Sequence, residues 1–147
     1  MKRQHAGFTL IELISVIVIL GILSAFALPR FANLEVRARE AAIQGLGGAV
    51  RSASALAHAV WLADGATLGT QTITMDGVSF TVDDGWPDDI NIKNALQEDP
   101  ASSGFTQVSD GEWSFPGVQN QNACKVQYTH SGSSSPPSII VPISACN

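Results

Sequence analysis

From Phe8 to Leu28 the chain reads FTLIELISVIVILGILSAFAL, with Glu12 its one ionisable residue. As an α-helix rising ~1.5 Å per residue, a run of this length spans about 30 Å, the hydrocarbon thickness of a bilayer. Its side chains require lipid or an equally apolar enclosure, since each buried Leu, Ile, Val or Phe is worth ~1.5–3 kcal/mol. The run follows a short basic segment, MKRQHAG, in which Lys2 and Arg3 keep the N-terminus cytoplasmic and send the rest outward. A secretory signal begins in the same way but is cut after its apolar stretch, and Ser24-Ala25-Phe26-Ala27 is a weak version of such a site.

The continuation argues against a disposable signal. Beyond Pro29, the residues Phe31, Leu34, Ala38, Ala42, Leu46, Ala49, Ala53, Leu56 and Val60 recur at three- and four-residue steps. That spacing predicts an amphipathic helix whose apolar stripe packs on a domain, ended by Asp64-Gly65. The whole is one long helix, lipid-soluble first and domain-bound second. Pro29 removes a backbone donor and crowds the preceding turn, which predicts a kink or local melting between Gly21 and Pro29. Gly45, Gly47 and Gly48 either weaken the helix or admit a close neighbour, and the spacing leaves both open.

The net charge of −5 conceals a division. From Asp64 onward ten acidic residues face two lysines, Lys93 and Lys125, a balance of −8. Phosphate binding needs clustered Lys and Arg, so direct nucleic-acid binding by this part is not expected. Two cysteines, Cys124 and Cys146, lie near the end with His130 as the only close histidine, too few ligands for a zinc site. A disulfide is the simpler reading and implies an oxidising compartment.

After Thr70 the pattern turns to strands. Thr72–Met75 and Val78–Val82 flank Asp76-Gly77, and Phe105–Ser109 and Glu112–Phe115 flank Asp110-Gly111, which predicts two hairpins. Pro87-Asp88-Asp89 can start a short helix running to Leu96. Lys125–Tyr128 and Ser138–Ile143 read as final strands, giving an antiparallel sheet of about four strands against the long helix. Asp83, Asp84, Asp88 and Asp89 cluster around Gly85-Trp86-Pro87 without the EF-hand spacing, and read better as a solvated acidic loop than as a Ca²⁺ site. His58 suits packing or surface better than catalysis, and Trp61, Trp86 and Trp113 suit core or subunit interface better than a sugar platform. No phosphate loop, zinc signature or nucleophile elbow occurs, so neither enzyme activity nor a cofactor or metal is expected.

Gly7-Phe8-Thr9-Leu10-Ile11-Glu12-Leu13 closely resembles the processing site of type IV prepilins. The resemblance implies that a prepilin peptidase removes residues 1–7 between Gly7 and Phe8, and that Phe8 becomes N-methylated. It also matches the family's Glu five residues into the mature chain, here Glu12, and a Pro closing the apolar run, here Pro29. The motif covers about a third of the chain, and its leader is similar to that of mannose-sensitive-haemagglutinin-type pilins. The implied α+β pilin fold consists of leader 1–7, apolar helix 8–29, amphipathic helix 30–64 and β-rich head 65–147 with a C-terminal disulfide loop.

A carboxylate inside a membrane helix costs on the order of 2.5–3.5 kcal/mol. Glu12 either snorkels to the headgroups or meets a counter-ion. Cleavage before Phe8 creates a free amine, and the resemblance implies that Glu12 of one subunit pairs with the amine of the next. The expected function is a subunit that leaves the inner membrane, with help from pilus assembly machinery, to form an extracellular homopolymer serving adhesion, motility or biofilm. A pseudopilin of type II secretion, forming a short periplasmic pseudopilus, shares the same motif and is the alternative.

Overall fold

The structure is a computed structural model that describes residues 8–132 and 134–147. It divides into two compact units, Met1–Val36 and Arg37–Asn147. One helix, α1 (Leu10–Ala63), contributes residues 10–36 to the first and 37–63 to the second. The helix runs through Gly21 and Pro29 without a break.

In the first unit the apolar side chains from Phe8 to Leu28 are exposed apart from the half-buried Ala27, the large ones by 46% or more. Among the described residues α1 is the helix long and apolar enough to cross a membrane, and none of its most apolar window is buried.

The second unit has a core of its own. Strands β1 (Thr70–Met75), β2 (Val78–Asp83) and β3 (Trp86–Pro87) form one antiparallel sheet. A one-turn helix, α2 (Ile92–Ala95), leads to a second antiparallel sheet, the meander β4 (Thr106–Ser109), β5 (Glu112–Ser114), β6 (Lys125–Thr129) and β7 (Ser138–Ile140). Both hairpins expected from Asp-Gly form, with Met75 opposite Val78 and Ser109 opposite Glu112, the second with a register shift between Gln107 and Ser109. The single sheet of about four strands becomes two sheets, because β3 extends the first hairpin into a sheet of its own. Its turn is a third Asp-Gly pair, Asp84-Gly85, with φ of 47° and 88°; Asp76-Gly77 has 51° and 82°. Positive φ at both central residues is the tight turn that matches strand twist, and the Asp-Gly signal for it lay unread inside the acidic run. The helix expected from Pro87 to Leu96 shrinks to Ile92–Ala95 because Pro87 pairs with Val82 in β3.

The apolar stripe of α1 needs correction. The face buried in the second unit is Ile43, Val50, Ala53, Ser54, Ala57 and Trp61, with Gly47 among them. Of the residues expected to face the core, Ala53 alone is buried; Ala42, Leu46 and Val60 are half-buried, and Phe31, Leu34, Ala38, Ala49 and Leu56 are exposed. The true core face lies one residue, about 100° of helix, around from the expected one. Gly47 also resolves the open glycine question, since a Cβ there would lie 2.5 Å from Val141 Cγ2 while one at Gly45 or Gly48 would meet nothing. Gly47 exists to admit the C-terminal segment of the head.

Candidate functional site

The chemistry-bearing residue of the apolar run opens α1. Thr9 N donates to Glu12 Oε2 at 2.9 Å, Thr9 Oγ1 donates to the same oxygen at 2.6 Å, and Glu12 N donates to Thr9 Oγ1 at 3.3 Å. This is a capping box, in which Thr and Glu three residues apart satisfy each other's orphan amides. The Thr-x-x-Glu spacing is its local signal in the sequence. Glu12 therefore has a structural task within its own chain, closing the first turn of α1. Phe8, just before the box, is 86% exposed. Gly7 and the rest of the leader lie outside the described residues.

In the second unit Cys124 and Cys146 form a disulfide, fully buried, with Cα atoms 4.9 Å apart. It pins the chain end over α1, where Arg39 Nη1 donates to Cys146 O at 3.4 Å and Arg51 Nη2 to Ile139 O at 3.2 Å. Tyr128 ties the layers together. Its hydroxyl donates to Pro87 O at 2.6 Å in the first sheet and lies 3.4 Å from Ser54 Oγ on α1. Burial pushes the phenol up to about 12, opposed by the Ser54 hydrogen bond and reinforced by Asp89 and Asp88. The neutral phenol is thus favoured in the folded chain. Between pH 10 and 12 the unfolded chain holds fewer protons, so stability falls with pH there and is untouched below it. The cost across that window is about 2–3 kcal/mol. Tyr128 is the chain's single tyrosine. Absorbance near 295 nm should therefore rise around pH 12 in the native chain and near pH 10 in guanidinium.

The acidic loop is not the solvated run expected from its sequence. Asp84 Oδ1 accepts from Gly69 N at 2.6 Å, Asp88 Oδ1 from Asn91 N at 2.7 Å and Asp89 Oδ1 from His130 N at 2.7 Å. These half-buried carboxylates hold turns. Among the described residues no group of three or more His, Cys, Asp or Glu is placed to hold a metal ion. His58 stacks on Trp86 with centroids 4.0 Å apart and planes 8° apart, and its Nδ1 lies 3.1 Å from Gly85 O. It packs, as expected of it, while Trp113 is fully buried and Trp61 nearly so. Gly85 closes this stack. At φ 88° a Cβ would meet the Trp61 ring and lie 2.7 Å from His58 Nδ1. Gly85→Val should therefore cost about 3 kcal/mol, combining left-handed strain with overpacking, as a shift of the denaturant midpoint.

Comparison with known proteins bears on this arrangement. Residues 2–28 match the family model of the prokaryotic N-terminal methylation motif. The type IV narrow pilus major component PilA5 of Thermus thermophilus is 57% identical over 51 residues, covering 35% of this chain and 44% of that protein. A type IV major fimbrial protein, FimA, of Dichelobacter nodosus is 31% identical over 132 residues, covering 88% of this chain and 69% of its own. The fimbrial protein EcpC of Eikenella corrodens is 39% identical over 72 residues, 47% of each chain. The chain thus spans under half the length of the first and third relatives and just over two thirds of the second. No solved structure gives a significant match. With the N-terminal methylation motif present, and a type IV major fimbrial protein 31% identical across 88% of this chain and 69% of its own length, the chain belongs to the type IV pilin family.

Proposed function

We propose that this chain is a structural subunit, not an enzyme, that polymerises through its N-terminal helix into an extracellular type IV pilus filament. The observation that carries the reading is an apolar helix with every large side chain from Phe8 to Leu28 exposed, attached to a unit that already has its own core. The apolar run has no use in folding that unit, and outside a bilayer it needs copies of itself. A head-to-tail contact that does not close on itself yields a helical fibre. The relatives are named as pilus and fimbrial components, and the pseudopilin alternative is not favoured.

Within this reading the inner membrane holds the precursor by residues 8–29. Prepilin peptidase cleaves between Gly7 and Phe8, Phe8 is N-methylated, and assembly machinery extracts the mature chain. Glu12 then accepts the new amine of a neighbouring subunit, and Pro29 with Gly21 lets the helix bend as it packs. Adhesion, surface motility and biofilm formation are the roles such a fibre serves. The test is mass spectrometry and electron microscopy of material sheared from cells expressing the chain. The expected result is long fibres whose subunit begins with methylated Phe8. A mature chain starting beyond Ala27, or a monomer soluble without detergent, overturns the proposal.

A further inference from the structure

The stripe of α1 that the head leaves open forms the floor of a groove in the second unit. Leu46, Ala49 and Leu56 lie along the floor, Leu96 and Phe105 on the wall, and Asp76 and Glu98, both exposed, among its lining residues. The space is about 530 Å³ and mostly apolar-walled. Small residues on the floor let another helix approach closely.

The same stripe supplies a matching element. Arg30, Leu34 and Arg37 stand at i, i+4 and i+7, which places them on one face, with Phe31 beside them. Leu34 is 66% exposed and Phe31 68%. The result is a leucine with an arginine about one turn to either side, roughly 10 Å from end to end. The groove presents the complement, an apolar floor with two carboxylates. An acidic head and a basic helix segment on one chain attract between copies.

We propose that this groove receives the 30–37 segment of α1 from a second copy of the chain, Leu34 entering over Ala49 while Arg30 and Arg37 meet Asp76 and Glu98. This rests on the filament reading and adds a contact at the level of the heads. With parallel helices, aligning Leu34 to Ala49 sets a stagger of ~22 Å along the axis. It gives the exposed half of the stripe a partner.

Charge exchange in the full-length chain tests it. Arg37→Glu and Glu98→Arg should each lower sheared fibre yield by about tenfold, and the double variant should recover most of it, since the reversed pair restores attraction. Ala49→Trp, which fills an open groove floor, should lower yield similarly while leaving the melting temperature of the detergent-solubilised chain unchanged. Wild-type fibres accompanied by silent single variants, as a lipid in the groove would give, overturn this contact and leave the filament reading standing. So does a double variant no better than the singles. Absence of wild-type fibres overturns the filament reading itself.

Discussion

Glu12→Val should leave the chain inserted and cleaved but reduce filament yield by on the order of a hundredfold. In the proposed contact the Glu12 carboxylate and the amine of Phe8 from the next subunit lie in apolar surroundings. Removing one member of such a pair leaves the other charge buried without compensation, which costs ~3–5 kcal/mol, and every 1.4 kcal/mol is tenfold. The capping box supplies a discriminating control. Glu12 also holds the amide of Thr9, and the loss of a cap costs ~1 kcal/mol of helix stability. Glutamine serves equally well in that position of a capping box. Glu12→Gln therefore keeps the helix end and removes the charge. It should fail to assemble as Glu12→Val does, by the yield of sheared fibres. Recovery of fibres with glutamine would assign Glu12 to capping alone.

Replacing Cys124 and Cys146 with serine should lower the unfolding free energy of the second unit by about 3 kcal/mol. The two cysteines are 22 residues apart, and closing a loop of that size removes this much chain entropy from the unfolded state. For a unit of this size the melting temperature should fall by about 10–20 °C, followed by near-ultraviolet circular dichroism in detergent. The effect reaches α1 because the bridge anchors the final segment. Ala145 N donates to Ala123 O at 3.3 Å and Gln119 N to Asn147 O at 3.1 Å, while Cys146 O accepts from Arg39. A fall of less than about 5 °C would mean that these hydrogen bonds hold the segment without the bridge.

The N-terminal assignment was legible because its signals are local. An uninterrupted apolar run, a basic leader and one carboxylate at a set distance need no tertiary partner to be read. The same holds for the two hairpins, where Asp-Gly between alternating residues marks a turn needing positive φ, at both residues of Asp76-Gly77 and at Gly111 in the second. The capping box at Thr9 and Glu12 and the third Asp-Gly turn at Asp84-Gly85 were equally local. Each is masked by its surroundings, the first by the apolar run and the second by the neighbouring acidic residues.

The face of α1 that meets the head was not legible, for a physical reason. Between residues 42 and 61 the helix carries apolar or small residues on two adjoining faces, and a period of 3.6 fits either one. What selected the face of Ile43, Val50, Ala57 and Trp61 was contact far along the chain: Val141 against Gly47, Tyr128 against Ser54 and the Gly85 turn against Trp61. The pairing of strands into two sheets was decided in the same way, by Pro87 entering β3 instead of a helix. By itself the sequence determined which elements form and that a greasy helix outlasts the head's needs. Only the tertiary structure decided which side of that helix is spent on the head and which is left for another molecule.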